Sequence, residues 1–577
     1  MKSRTSFFNK TALRKDILRY SPIWALYTIF LLLALFGMAD YSRETIARDV
    51  VDFLKAMAWI NLFYGGICGV FLFMDLFNGR LCNALHAFPI RREGWLTTHI
   101  VAGVLFSLVP NLLVTGISAL ILWEYAYMAL IWLAISTLQY LFFFGTAVLA
   151  AICAGNLLGT AAVYGITHFV TVFVYAVVQL LYQPLLYGVR LNSEVFFQFF
   201  PLSKMNGFDY AIIKISYDDR VERPLKFAGL EGEAWLYVGL CAAVGVLCLF
   251  LAGLVYRRRN LENAGDFISL RPLAPLFMLV CTVGAGAFLY MFSDLVGNQT
   301  YLFLLLGMVI GYFVGKMLLN RTLKVFGKKS LISFAVLVAV VGGSLLVTWI
   351  DPLGVVSYVP KAEQVEAAYI YGADKNNYYL VEYSFMSYVG GEEDSGFQIT
   401  EAEELAQLQD FHRQLTECRP SENDGVLCDV RIRYQLKSGR TVTRYYKVGR
   451  STPLGQRAGK YFNDMRYIFE VNDTQILYNA FDGVAVDIFD GEKRTEFKLT
   501  NQKKIAGLLD AIAKDCEAGT MAQNWAFHIE TDKIQECNIE FYVKDSVREQ
   551  GGWGMNRFYL RIWEDSIHTQ AYINTMR

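Results

Sequence analysis

The sequence predicts a polytopic α-helical membrane protein carrying a C-terminal α+β domain outside the bilayer. Three observations lead there. Of 577 residues, 54% are hydrophobic and only 18% charged, more apolar surface than a water-soluble chain of this length ordinarily carries. Apolar runs of roughly 20 residues, the length that crosses a hydrocarbon core about 30 Å thick, recur up to Asp351. Beyond Asp351 no such run occurs, and charges, turns and alternating patterns take over. The net charge is zero, so charge balance argues for neither nucleic acid nor an acidic partner.

Nine helices are predicted to span, over Pro22–Ala39, Ala56–Met74, Ile100–Leu122, Met128–Cys153, Thr160–Leu186, Trp235–Tyr256, Leu273–Phe292, Tyr301–Leu319 and Ser330–Ile350. Trp24, Trp59, Trp123, Trp235 and Trp349 fall near their ends, where amphipathic rings prefer the water boundary. Ahead of them, residues 1–20 are basic and no small-residue cleavage site follows, so this stretch is not read as a cleaved signal. Within it, Phe7, Phe8, Leu13, Ile17 and Leu18 share a helical face opposite Lys10, Arg14 and Lys15. That pattern fits an interfacial elbow helix on anionic lipid, with a merely basic tail as the alternative.

Basic residues cluster in alternate loops: Lys2 to Arg19, then Arg80, Arg91 and Arg92, then Arg257, Arg258, Arg259 and Arg271, then Lys316 to Lys329. The intervening loops, such as Asp40–Lys55 and Tyr187–Ala234, are balanced or acidic. The positive-inside rule therefore puts the N-terminus in the cytoplasm, and nine crossings carry Asp351–Arg577 outside.

No Asp, Glu, Lys or Arg falls deep within a predicted span; Asp75, Glu124 and Asp294 sit at span ends. Ion-coupled carriers need buried ionisable groups, so a secondary transporter is disfavoured. ATP-driven transport would need a phosphate-binding loop, G-x-x-x-x-G-K-[ST]. Gly315-Lys316 is followed by Met317 and Gly327-Lys328 by Lys329, so neither qualifies, and any ATPase must be a separate chain.

The loop after the second span reads Arg80-Leu-Cys-Asn-Ala-Leu-His-Ala-Phe-Pro89-Ile90-Arg91-Arg92-Glu93. Ala154-Gly155-Asn156 closes the fourth span, and Tyr256-Arg257-Arg258-Arg259 opens a tail reaching Ala264-Gly265-Asp266 after the sixth. In order and sidedness these landmarks resemble the ABC-2 type permeases, over residues 1–270. The resemblance implies a six-helix permease core (21–270), to which 271–350 adds three helices and 351–577 an extracellular domain. That enlargement is similar to the large Gram-positive permeases linked to envelope stress and antimicrobial peptides. It further implies a bacterial cell membrane location, an ATPase subunit holding ATP and magnesium, and a second permease subunit. Peptide or lipid-linked molecules are the implied substrates. No cofactor is expected in this chain.

In that family the loop before the third span docks on the ATPase, which would make Arg80, Pro89, Arg91 and Arg92 the coupling residues. Pro89 fixes its own φ and disfavours helix at Phe88, giving a sharp turn. The alternative for the two arginines is that they are ordinary topology signals.

The C-terminal domain holds a diverged repeat, with modules at about 362–450 and 483–577. Phe397-Gln-Ile-Thr400 opens a helix with Leu405, Leu408 and Leu415 ending at Cys418; Phe497-Lys-Leu-Thr500 opens another with Ile505, Leu508 and Ile512 ending at Cys516. Thr400 and Thr500 are the expected N-caps. A strand beginning at Cys428, and another at Cys537, follows each helix. Further strands are expected at Val365–Tyr371, Tyr378–Phe385, Thr441–Val448, Val484–Phe489, Arg557–Trp563 and His568–Ile573.

The repeat pairs Cys418 with Cys428 and Cys516 with Cys537 as disulfides, with buried free thiols as the alternative. Close Cys-x-x-Cys pairs are lacking, which disfavours zinc. His412 is expected on a solvated helix face and His528 and His568 in strands, none beside a nucleophile, so no catalytic residue is assigned. The domain is read as a cap or as a binding module to which Tyr379, Tyr445, Tyr446 and Trp553 would supply aromatic contacts, with packing within the sheets as the alternative for those residues. The alternative for the whole chain is an envelope sensor or scaffold.

Overall fold

The computed structural model describes residues 8–576 except 38–45, 89, 122, 124–125, 192–195, 197–198, 207–209, 215–224, 261, 263, 294–299, 374–397, 420–426, 450–451, 470, 472, 491–492, 522–534, 545–556 and 564. The chain divides into two units: residues 1–181 with 192–344, and residues 182–191 with 345–577.

The first unit is helical. Its elements are α1 (Lys10–Arg19), α2 (Ser21–Gly37), α3 (Ile46–Leu72), α4 (Gly79–Ala87), α5 (Arg92–Ile121), α6 (Ala126–Cys153) and α7 (Leu157–Val177). A hairpin of β1 (Tyr210–Lys214) and β2 (Leu225–Leu230) precedes α8 (Gly232–Arg258), α9 (Ala274–Met291), α10 (Thr300–Asn320) and α11 (Lys328–Ile350). Among the described residues eight helices are long and apolar enough to cross a membrane: α3, and α5 through α11. The expected first span differs. It is a pair, α1 and α2, bent by 60° at Tyr20, and only together do they pass the same length and composition test.

Helix α6 is the hub. An added Cβ at Gly69 of α3 would lie 2.6 Å from the Ala147 Cβ, and one at Gly145 would run into the Gly245 carbonyl of α8. Small residues at these crossings let backbones touch, which is how helices associate where lipid removes the hydrophobic drive. Pro110 interrupts α5 and cannot donate to the Phe106 carbonyl one turn back. The Tyr64 hydroxyl donates to that carbonyl instead, at 2.8 Å.

The second unit contains two four-stranded antiparallel sheets. The first module comprises β3 (Val365–Ala373), β4 (Gln398–Ile399), α12 (Ala402–Glu417), β5 (Leu427–Leu436), β6 (Thr441–Gly449) and α13 (Pro453–Phe462). The second has β7 (Phe481–Asp490), β8 (Lys493–Leu499), α14 (Gln502–Glu517), β9 (Gln535–Val543), β10 (Arg557–Trp563) and α15 (Ile567–Asn574). Strand order is β4-β3-β5-β6 in one and β8-β7-β9-β10 in the other, the same order for corresponding strands. Each helix buries its predicted stripe: Leu405, Leu408 and Leu415 in α12, and Ile505, Leu508 and Ile512 in α14.

Several expectations need correction. The caps fall one residue later, at Glu401, which makes no side-chain cap bond, and at Asn501, whose side chain accepts from Lys503. His568–Ile573 is helix, not strand, because the Asp515 carboxylate accepts from the backbone N–H groups of His568 (3.0 Å) and Thr569 (2.7 Å). Those amides open a helix and would otherwise lack partners. Cys516 and Cys537 form no disulfide. Both are unbridged thiols buried in the second module's core, each packed as a small apolar side chain. Cys418 is an exposed free thiol. Its proposed partner Cys428 begins no strand, since β5 starts at Leu427, and its side chain lies outside the described residues. Pro89, Tyr379, His528, Trp553, Glu124, Asp294 and the expected strand Tyr378–Phe385 also lie outside them.

Candidate functional site

The candidate site is built at the arginine-rich end of the helical unit. After α3 comes a short 3-10 turn, Met74–Phe77, and Asn78 caps α4 by accepting from the Arg80 N–H at 3.0 Å. Helix α4 buries Cys82 and exposes Arg80 and Leu81; beyond its end Phe88 and Arg91 are exposed too. Aliphatic, aromatic and guanidinium groups thus share one short segment.

That segment has a rigid base. Arg259, directly after α8, is buried, and its guanidinium donates to the carbonyls of Ala151 (3.2 Å), Ile152 (3.0 Å) and Leu76 (3.3 Å). Its own carbonyl accepts from the Arg92 guanidinium at 3.0 Å. Arg257 pairs with Glu93 at 3.2 Å. One buried cation therefore ties the chain ends of α3, α6 and α8 together and anchors the start of α5. A buried guanidinium is tolerable because carbonyl dipoles satisfy its donors.

Of the expected coupling residues, Arg80 and Arg91 are surface groups, whereas Arg92 is turned into the scaffold. The other two landmarks meet. The Gly265 N–H donates to the Gly155 carbonyl at 2.6 Å, and the Asn156 side chain donates to the Gly265 carbonyl at 3.3 Å.

The N-terminal elbow locks onto the same end. Asn9 caps α1, the buried Asp16 carboxylate meets His99 Nδ1 at 2.8 Å, and Arg19 pairs with Asp75 at 3.0 Å. Between the alternatives of interfacial helix and basic tail, this stretch is a helix, with Leu13 and Ile17 packed on the core.

Deeper in the bundle lies a polar seam. Tyr27 of α2 donates to Asn111 of α5 (3.0 Å), which donates to Ser107 (3.3 Å) and Ser136 of α6 (3.5 Å). Asn61 of α3 donates to Ser136 and to Gln139 Oε1 at 3.2 Å. All but Tyr27 lie within α3, α5 and α6, three of the eight helices of spanning length, yet among the described residues Asn61 Oδ1 and Gln139 Nε2 are buried without a partner. Orphaned polar atoms are costly there. These side chains carry no charge, so a pattern of acids and bases inside spans does not reveal them. Neutral amides within apolar runs were the available signal.

In the second unit the notable group is His412. It belongs to the buried stripe of α12, correcting the expectation of a solvated position. Its Nδ1 lies 3.1 Å from the Tyr434 hydroxyl and its Nε2 2.8 Å from the Tyr446 hydroxyl. Burial, with the nearby Arg444 second, pulls its pKa down from 6.5 to about 3. Tyr446 is accordingly core, not a surface contact. Residues 182–191 add to this module. The Tyr445 N–H donates to the Gly188 carbonyl at 2.9 Å, extending the β6 edge, and the Tyr187 hydroxyl donates to the Cys418 carbonyl at 3.0 Å. Gly188 has φ +77, and a side chain there would strike the Tyr446 ring.

Among the described residues no group of three or more His, Cys, Asp or Glu gathers to hold a metal ion. Comparison with protein families, with curated proteins and with solved structures finds no match.

Proposed function

We propose that this chain is the permease subunit of an ATP-driven exporter of the ABC-2 type, coupled through α4 and the α4–α5 turn to a separate ATPase. The observation that carries the reading is the exposed set Arg80, Leu81, Phe88 and Arg91 on a segment held to the scaffold by the Arg92–Arg259 bond. A coupling element must transmit force, so it needs a stiff attachment and an apolar surface rimmed by charge. Exposed ion pairs contribute about 0–1 kcal/mol each, so the arginines mainly orient the partner.

In this reading the bent α1–α2 pair counts as the first of nine crossings. The arginine-rich end faces the cytoplasm, and residues 351–577 lie outside the cell. The polar seam between α2, α3, α5 and α6 is where a peptide or lipid-linked substrate would find hydrogen-bonding partners once helices part. Two permease subunits would enclose that path.

The test is co-purification of the tagged full chain with its ATPase from the native membrane. Arg80→Glu with Arg91→Glu should lower captured ATPase by about tenfold or more, since two rim charges are reversed. Thermal stability should stay unchanged, because neither residue belongs to the buried clamp. Undiminished capture, or no ATPase in the wild-type preparation, would overturn the assignment.

A further inference from the structure

We propose that the concavity beside the end of α8 binds the phosphate of an anionic phospholipid. It encloses about 760 Å³ and is lined by Arg257, Arg258, Asn260, Ser269 and Arg271, with Leu254 toward the helix. Among the described residues no carboxylate lines it. Arg257 is already paired with Glu93 and the Arg259 guanidinium is spent on backbone carbonyls. Arg258 and Arg271 remain, exposed and with no acidic partner among the described residues. Two unneutralised guanidinium groups on one hollow repel each other, and a bound dianion or phosphodiester relieves that repulsion. Guanidinium matches phosphate oxygens in a bidentate fork, whereas an ammonium would act as a point charge.

A phosphate could come from lipid or from solution, and the adjoining helix decides between them. Leu240, Val244, Leu247, Leu251 and Leu254 are all exposed. Their spacing of four, three, four and three puts them on one face of α8, a stripe about 21 Å long ending at the hollow. That length suits an acyl chain whose headgroup rests among the arginines. A soluble phosphate would need no such stripe, and an acidic protein partner would not use it. The inference is independent of the exporter reading, since any helical membrane protein with this hollow would select lipid the same way.

The experiment is native mass spectrometry of the full chain in an uncharged detergent. Phosphatidylglycerol, phosphatidylcholine and inorganic phosphate are offered separately. The wild type should retain phosphatidylglycerol over phosphatidylcholine by about 30-fold, the combined effect of two interfacial arginines. Arg258→Gln with Arg271→Gln should abolish the preference, while Arg80→Gln with Arg91→Gln should keep it. Lipid-free thermal unfolding of the first double variant should match wild type, separating lost binding from lost fold. Equal retention of both lipids, or a preference surviving Arg258→Gln with Arg271→Gln, overturns the proposal. Inorganic phosphate bound as tightly as phosphatidylglycerol reassigns the hollow to a soluble anion and overturns the lipid assignment.

Discussion

Acidification should loosen the first module of the second unit through one side chain, His412. Folded, this imidazole is buried between two tyrosine hydroxyls and its pKa is pulled from 6.5 to about 3. Unfolded, it takes a proton near its ordinary value. Below pH 6.5 the unfolded state therefore binds a proton that the folded state refuses. Stability is lost as pH falls through 6.5, and the loss continues down to about pH 3. The slope is about 1.4 kcal/mol per pH unit inside that window. Between pH 7.5 and pH 5.0 the expected loss is about 2 kcal/mol, a factor of about 30 in the opening equilibrium. Hydrogen exchange of the intact protein in detergent reads this directly, from peptides of α12, β5 and β6 corrected for intrinsic pH dependence. Peptides of the second module serve as the internal reference. His412→Gln removes the titrating group, keeps a donor and an acceptor for the tyrosines, and should flatten the slope. Identical pH slopes in wild type and His412→Gln would refute the argument, whatever the variant's absolute stability.

Two further outcomes follow from packing. Gly145→Ala or Gly245→Ala should destabilise the protein by about 1–3 kcal/mol in detergent thermal unfolding, since each Cβ meets backbone of the other helix. Gly239→Ala on α8, where nothing lies within 4 Å, should be neutral or stabilise by up to about 1 kcal/mol. Alkylation under denaturing but non-reducing conditions should label both Cys516 and Cys537, because both are unbridged. Cys516→Ser should then destabilise the second module by about 1–3 kcal/mol, as a hydroxyl replaces a thiol in an apolar core.

Eight of the nine expected spans were legible because lipid imposes a crude requirement, about 20 apolar residues with every backbone group bonded internally. Trp235–Tyr256 and Gly232–Arg258 differ by three residues at one end and two at the other. The repeat in residues 362–577 was legible too, since period-two strands and a three-four helical stripe recur in the same order. His412 stood in that stripe, four residues after Leu408 and three before Leu415, and its chemical type alone misdirected the reading.

What the chain determines by itself is local: where it is apolar, with which period, and where arginines gather along it. Which groups meet is decided by the tertiary structure. Asp515 supports Ile567–Asn574 as helix from 53 and 54 residues away in sequence, by accepting the amides of His568 and Thr569 in its first turn. Arg259 becomes a buried clamp, and Arg258 a solvent-facing neighbour, through a one-residue difference in direction at the end of α8. Cys516 and Cys537 become core because a thiol packs as a small apolar group wherever no second sulfur comes within bonding reach. Partnership between distant side chains depends on the angle at which elements pack, and a one-dimensional pattern carries no record of that angle.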